Sequence, residues 1–395
     1  MRKRLEEVAD VTKLAGFEFT KYMKYIDDGE IVAIRALNLK EGRLVLDDVK
    51  HIAKSVSEEL PRSQLHKYDI VLSYTGTIGE SAQIMEEGKY HLAPNVAKVV
   101  PKCDVIDPRY LFQYICSREF KQQMKNYAHG STQPTVPMAT IRELTVPVYD
   151  IETEKKIANI LSSIGDKIEK NIEINGNLEE QLLAYYRELF VTNAKPTWKI
   201  GTVADLGNVV GGSTPSKKRE EYYTEHGIAW ITPKDLSNDR SKFITHGEID
   251  ITELGLANSS AVRMPPGTVL FSSRAPIGYI AIADGEVTTN QGFKSVVPFG
   301  EIGTSFVYCF LKENLTIIEN MASGSTFKEI SGITMKVVPA IIPDSETLSV
   351  FRDYADALFN QQRNSEAENR RLSAIRDSLL PRLMSGELDV SDLDL

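Results

Sequence analysis

The feature that most constrains this chain is that it says the same thing twice. Gly130-Ser131-Thr132 returns as Gly324-Ser325-Thr326, 194 residues later. Tyr74-Thr75-Gly76-Thr77-Ile78-Gly79 returns as Ser273-Arg274-Ala275-Pro276-Ile277-Gly278. The stretch from Ile141 to Val148, with its Val-Pro, returns around Ile333 to Ile342 with Val338-Pro339. Each copy then runs into a long helical pattern. Solenoid units repeat every ~20–50 residues, so a period this long marks a duplicated domain with its connector. Two similar heads on two similar rods fit a ligand that itself has two similar halves.

Each head reads as short strands separated by turns. Asp69 to Tyr74 and Gly267 to Ser272 are β-rich runs that end in glycine-containing turns. Val96 to Pro101 and Lys294 to Pro298 look like a matching strand pair. Arg109 to Tyr127 and Thr304 to Met321 look like helices in equivalent places. The expected class is therefore α+β, with two similar mixed heads. The boundaries expected are 1–150 for the first head, 151–193 for a central helix, 194–343 for the second head, and 344–395 for a distal helix and acidic tail.

The connectors carry the clearest local signal. Ile157, Leu161, Ile164, Ile168, Asn171, Asn175, Leu178, Leu182, Tyr185 and Leu189 follow alternating steps of four and three, which is a heptad seam. Leu348, Phe351, Ala355, Leu358, Gln362, Ser365, Asn369, Leu372 and Leu379 do the same. Asn171 and Asn175 lie in the middle of one seam, and Gln362 and Ser365 in the middle of the other. An antiparallel coiled coil puts these polar layers face to face, and a buried polar layer fixes register. The expected arrangement has internal pseudo-two-fold symmetry. Each seam covers about 32 residues, so the rod is roughly 50 Å long at ~1.5 Å per residue. Successive major-groove segments on one face of DNA are about 34 Å apart.

Composition excludes several classes. The three cysteines, Cys103, Cys116 and Cys309, have no metal spacing and no disulfide framework, which suits a reducing cytoplasm. The charged start is not read as a signal peptide, and no apolar run approaches the ~20 residues needed to span a bilayer. The formal net charge is −9, whereas a simple DNA binder is basic. The charge is unevenly spread. Residues 1–150 carry 21 cations and 21 anions, residues 196–343 carry 13 and 15, and residues 344–395 carry 6 and 11. Because phosphate contacts supply much of the affinity for DNA, such near-neutral heads would bind DNA weakly alone, with partner subunits adding positive charge.

The chain resembles a specificity (S) subunit of a Type I restriction-modification system. The resemblance rests on Gly211-Gly212-Ser213-Thr214-Pro215-Ser216, on Trp230-Ile231-Thr232-Pro233-Lys234-Asp235-Leu236, on Ser273 to Gly278, on Gly324-Ser325-Thr326, and on Leu379-Leu380-Pro381-Arg382-Leu383-Met384-Ser385-Gly386-Glu387-Leu388. It covers essentially the whole chain. It implies two target-recognition domains, each reading one half of a split double-stranded DNA target. It also implies that the helices dock two methyltransferase subunits, with restriction (endonuclease/translocase) subunits joining them, and no membrane. The first head departs from the pattern, because it has no Gly-Gly-Ser-Thr-Pro-Ser run and no paired tryptophan.

No catalytic constellation is present in the sequence, and no cofactor or metal is expected. An adenine methyltransferase holds its flipped base with an Asn/Asp-Pro-Pro-aromatic element, and in Asp107-Pro108-Arg109-Tyr110 the arginine spoils it. No glycine-rich loop is placed to cradle a nucleotide, and the six histidines have no metal spacing.

Candidate DNA contacts are each weighed against a bland alternative. Ser213, Thr214, Ser216, Lys217, Lys218 and Arg219 suit phosphate and base edges, or form a solvated turn before a helix. Arg274 suits guanine bidentately, or pairs with a nearby carboxylate. Asn290 and Gln291 suit adenine, or form an ordinary Asn-Gln-Gly turn. Ser131, Thr132 and Gln133, with Ser325 and Thr326, are either a DNA-facing loop or a helix stop. Tyr74, Thr75, Thr77, Asn95 and Lys328 complete the set. Ile164, Ile168, Asn171, Asn175, Leu178, Leu182, Leu358, Gln362, Ser365, Leu372 and Leu379 are the candidates for helix pairing and subunit docking. The competing reading is a coiled-coil scaffold protein with two protein-binding heads.

Overall fold

The computed structural model describes residues 1–130, 133–274, 276–324, 328–390 and 393. Residues 1–168 with 371–395 form one compact unit, and residues 169–370 form a second.

In the first unit, Arg2–Arg4 pairs antiparallel with Thr145–Pro147 and closes the head at its ends. The core sheet has the order Ala9–Lys13, Val96–Pro101, Ile70–Ser73, Ser81–Gln83, antiparallel throughout. Ile70, Val71 and Leu72 are fully buried, so both faces of this strand are covered. A second sheet contains Ile31–Ile34 in parallel with Tyr90–Leu92. The expected helix over Arg109 to Tyr127 is two helices, Pro108–Cys116 and Arg118–Asn126. The break has a local cause. Asp107 caps the first helix by accepting Arg109 N and Tyr110 N, and Ser117 caps the second by accepting Phe120 N at 3.1 Å. Tyr110, Tyr114, Phe120 and Met124 then share one core with Ile157 and Leu161 of the central helix and Leu380, Leu383 and Met384 of the distal helix.

The second unit repeats this plan. Lys199–Thr202 pairs with Pro339–Ile342. Its core sheet has the order Gly207–Gly211, Lys294–Pro298, Val269–Ser273, Ile277–Ala283, Phe243–Ile244. Trp230–Ile231 runs parallel to Thr288–Thr289, as Ile31–Ile34 does to Tyr90–Leu92. The second expected helix also breaks in two, as Thr304–Glu313 and Leu315–Asn320. Phe190 contacts both Phe306 and Phe351 edge-on in its core.

The long helices are Ile151–Arg187 and Ser345–Ser385, and the first continues as a π turn over Glu188–Thr192. Within the second unit they run antiparallel. Asn171 Nδ2 donates to Asn369 Oδ1 at 2.8 Å, and Gln362 Nε2 donates to Asn175 O at 3.0 Å. Further along, Tyr185 stacks on Phe351. The polar positions therefore face each other, as an antiparallel seam requires. Ile168, Leu178, Leu182 and Leu358 are buried, and Ile164, Leu372 and Leu379 are half-buried. Ser365 is half-buried while its neighbour Glu366 is buried. Tyr186 and Phe190 are likewise more buried than Tyr185 and Leu189. A straight helix drifts by ~20° per heptad against a strict 3.5-residue repeat, so the buried stripe slides by one residue, at Glu366 in the distal helix and at Tyr186 and Phe190 in the central one. Pro381 stands inside the distal helix without ending it, because Leu380, Leu383 and Met384 are anchored in the first unit's core. Among the described residues no helix is long and apolar enough to cross a membrane.

Candidate nucleic-acid interface

In the first head the buried strand Ile70–Ser73 runs out into the turn 74–79. Main-chain bonds hold that turn. Tyr74 N donates to Asn95 O at 3.4 Å, Val136 N donates to Tyr74 O at 2.9 Å, and Gly76 N donates to Pro134 O at 3.0 Å. Asn95 has φ of 69°, a left-handed conformation that asparagine tolerates better than most residues. The turn, Asn95 and the segment 133–136 thus come together. Thr135 Oγ1 donates to Thr75 Oγ1 at 3.3 Å, and Ser73 Oγ lies 3.3 Å from Thr77 Oγ1. Thr77, Asn95 and Gln133 are exposed, whereas Thr75 is buried beneath the turn. Tyr74 differs from its expected role. Its ring packs in the first unit's core, with Lys13 Nζ 5.6 Å from the ring centre. Burial pushes its phenol up, and its backbone N–H and C=O make bonds of the turn. Ser131 and Thr132 lie outside the described residues.

The second head uses the same main-chain frame. Ser273 N donates to Gly292 O at 2.7 Å, and Ile330 N donates to Ser273 O at 3.0 Å. Arg274 is half-buried, with its guanidinium 3.7 Å from the Glu329 carboxylate, so the carboxylate pairing is realised. Lys294 Nζ lies 3.5 Å from the same carboxylate. Lys328 is exposed, while Ser325 and Thr326 lie outside the described residues.

Beside this turn sits the loop that the first head lacks. A Cβ at Gly212 would stand 1.9 Å from Asn290 O and 2.4 Å from Thr289 O, so only glycine lets the loop lie against that strand end. Ser213 N donates to Thr289 O at 2.9 Å, Trp230 Nε1 donates to Ser213 O at 3.0 Å, and Tyr223 OH donates to Pro215 O at 2.5 Å. The Thr214 hydroxyl donates to Gln291 Oε1. Asn290 Oδ1 accepts Gly292 N at 2.8 Å, so this side chain shapes the turn 290–292. The two tyrosine and tryptophan bonds explain why Trp230 accompanies the glycine run. Past Pro215 the loop is exposed. Ser216, Lys217, Lys218 and Arg219 face solvent, and Arg219 lies 3.5 Å from Glu221.

Each head therefore presents hydroxyls, side-chain amides and cations at one end of its core sheet. Such groups accept and donate hydrogen bonds to base edges and phosphates. Among the described residues no three metal-ligating side chains gather. Sequence reasoning missed Thr135, Lys294 and Glu329. The 194-residue repeat does align Thr135 with Glu329, but only the fold brings each to its partner in the turn.

Comparison with known proteins bears on this site. The family model described as the Type I restriction modification DNA specificity domain matches residues 1–180 and again residues 195–374. A Type I restriction enzyme MjaIX specificity subunit from Methanocaldococcus jannaschii is 36% identical over 187 residues, 46% of this chain and 43% of that one. A Type I restriction enzyme HindI specificity subunit from Haemophilus influenzae is 24% identical over 376 residues, 76% of this chain and 81% of that one. This chain thus spans less than half the length of the first of these relatives and four-fifths of the second. The crystal structure of a Type I restriction-modification system S subunit from M. genitalium shares the fold, with a TM-score of 0.55 at 14% identity, covering 97% of this chain and 95% of that one.

Proposed function

The chain belongs to the family of the Type I restriction modification DNA specificity domain, and from that membership we propose that it is the non-catalytic DNA specificity subunit of a cytoplasmic Type I restriction-modification complex. The first head, 1–150, reads one half of a split duplex target, and the second head, 194–343, reads the other. The paired helices, 151–193 and 344–395, dock two methyltransferase subunits, and restriction subunits join through them. The observation that carries the reading is that both heads clamp an equivalent turn with equivalent main-chain bonds while presenting different side chains. A reader of two unlike half-sites needs that combination. The bases to be read are reached from Thr77, Asn95 and Gln133 in one head. In the other they are reached from Arg274, Gln291 and the loop 213–219.

Both heads are close to electrically neutral, so most of the salt-dependent affinity comes from partner subunits. The test is to express the chain with and without a methyltransferase subunit of the same system and sequence the methylome of the host DNA. The expected result is a new methylated motif of two short defined blocks around a fixed gap, present only when both are expressed. A stable complex that methylates no such motif would leave the scaffold reading standing instead.

A further inference from the structure

The two heads can be compared position by position from their backbone bonds. Tyr74 and Ser273 occupy the same place, because each donates its N–H to the loop before the next core strand and accepts from Val136 or Ile330. The residue before the second donor is Thr135 in one head and Glu329 in the other. Each of these also makes an isolated bridge to the segment just before it, Thr135 with His129 and Glu329 with Ser323. Strand register adds a third match, since Ala97 lies opposite Lys13 and Lys294 lies opposite Gly211 at the same end of the sheet. Arg274, Glu329 and Lys294, which meet around the turn in the second head, thereby stand at the places of Thr75, Thr135 and the core residue Ala97 in the first.

The exchange is complete in chemical terms. In the first head one hydroxyl donates to another, Thr135 Oγ1 to Thr75 Oγ1, and the third position is a methyl group. In the second head a carboxylate stands between two cations, 3.7 Å from Arg274 and 3.5 Å from Lys294. A carboxylate at a surface meant for a polyanion opposes binding. Its ion pairs are partly exposed, so they add little to folding. Its use must then lie in placing its partners. One carboxylate oxygen meets one terminal nitrogen of Arg274, which leaves other guanidinium donors for a ligand.

We propose that Glu329 is a specificity-determining positioning residue: with Lys294 it aims Arg274 at the O6 and N7 edge of one guanine in the half-site of the second head, while the neutral Thr75–Thr135 pair leaves the first head indifferent to guanine at the matching place. The inference rests on the proposed function, in which these turns face DNA. A threonine hydroxyl serves either donors or acceptors on a base, whereas a bidentate arginine selects guanine. The second head therefore reads one base pair more strictly than the first does at the equivalent position.

The test uses the complex with its methyltransferase subunits and duplexes carrying the methylated motif, with each base pair varied in turn. Wild type should favour guanine at one position of the second half-site by roughly 5- to 150-fold. Arg274→Lys should remove most of that preference, because charge remains and the bidentate fork is lost. Glu329→Gln should shrink it by about fivefold or more on the same scale, raise affinity for unrelated duplex, and leave every position of the first half-site unchanged. In the converse variant, Thr75→Arg with Ala97→Lys and Thr135→Glu, a new guanine requirement should arise in the first half-site. A Glu329→Gln complex that assembles normally and keeps full wild-type discrimination overturns the proposal. So does relaxation spread evenly over both half-sites, which marks a general gain in affinity. If wild type itself shows no two-block motif, the proposed function fails, and that outcome is read from wild type alone.

Discussion

The second head is tied to the helix pair by charges that water barely reaches, and this makes a quantitative prediction. Lys242 is 8% exposed. Its ammonium pairs with the Glu179 carboxylate of the central helix and donates to Gln362 Oε1 of the distal helix at 2.5 Å. The rings of Tyr308 and Phe359 lie 4.7 and 4.6 Å from Lys242 Nζ. Glu179 also accepts Tyr308 OH at 2.7 Å. One helical turn beyond Gln362, Glu366 accepts the backbone N–H groups of Lys242 and Phe243 at 2.7 and 3.0 Å, which fixes the edge strand Phe243–Ile244 to the distal helix. Burial pushes the Glu179 carboxyl up, but the Lys242 ammonium outweighs it and holds the group below its ordinary value.

Removing one charge of such a pair strands the other in a poor solvent, at a cost of about 3–5 kcal/mol. Glu179→Gln keeps the shape and leaves Lys242 with Gln362 and two ring faces, and cation–π contacts return only ~1 kcal/mol, so a loss of about 3 kcal/mol is expected. Lys242→Met strands Glu179 beside Lys312, 3.5 Å away, so the expected loss is also about 3 kcal/mol, at the low end of the range. The double variant strands nothing and should lose only ~1–2 kcal/mol. The coupling, about 4–5 kcal/mol, lies far outside the ~0.5 kcal/mol scatter of independent sites. For a unit of this size each single change lowers Tm by about 6–12 °C. Both tryptophans of the chain, Trp198 and Trp230, lie in the second unit, so urea unfolding followed by tryptophan fluorescence reports that unit. Single losses below ~1 kcal/mol, or losses that simply add in the double variant, would refute the argument, since both are the behaviour of solvated ion pairs.

Three further outcomes are expected. Glu154 is fully buried and accepts the N–H groups of Asp107 and Tyr149, yet burial pushes its carboxyl up to about 7. Its folded value lies above its unfolded one, so the native state holds the extra proton between them. Stability therefore falls as pH rises from about 4.5 to about 7. Relative to Glu154→Gln, the wild-type chain should lose about 2–3 kcal/mol between pH 5 and 8 in calorimetric unfolding, and a difference that does not change with pH contradicts this. Gly212→Ala forces a Cβ onto the main chain of Asn290 and Thr289, so binding of the methylated-motif duplex should weaken by as much as a mismatched base pair, ~1–3 kcal/mol, and unchanged binding counts against the loop 213–219 as a contact. Leu178→Asp puts a charge into a buried seam position, so tryptophan-monitored unfolding should shift by ~3 kcal/mol or more, with loss of co-purifying methyltransferase subunit; an unchanged midpoint and intact complex would sink the seam.

What was legible in the sequence was whatever depends on period. The duplicated plan shows because strand, turn and helix return together at one interval. The seam shows because burial along a helix repeats locally, so the polar middle at Asn171 and Asn175 could be set against the polar middle of the other seam, where Asn175 does meet Gln362. Side chains that depend on a distant partner were not legible. Lys242, in Ser241-Lys242-Phe243, looks like an exposed lysine at the start of a short strand. Only its place between Glu179 and Gln362, from two helices far off in the chain, makes it buried. Tyr74 stands among the candidate DNA contacts by its place in the repeated turn, but its ring lies in the hydrophobic core. Proline disfavours a helix interior, yet Pro381 stands inside the distal helix, where tertiary packing of its neighbours overrides local preference.

The division between the legible and the hidden has a physical basis that also bears on how two heads come to differ. The turns 74–79 and 273–278 are held by main-chain hydrogen bonds to neighbouring loops, and every residue except proline carries the donors and acceptors for these. The frame therefore survives replacement of the side chains it displays. The clamp bonds are made by the main chain of Tyr74, Gly76 and Val136 in one head and of Ser273 and Ile330 in the other, so the side chains of Thr75 and Thr135 can differ from those of Arg274 and Glu329 without altering it. The members of each set do depend on one another. Arg274 alone in the first head would find Thr135, a weak acceptor, and Glu329 alone in the second would face the DNA unpaired. Change is thus cheap for the frame and costly for a single residue within the set. A recognition surface built in this way should alter its preference in correlated steps of two or three residues, and single substitutions at positions 274, 294 or 329 should degrade specificity before any of them redirects it.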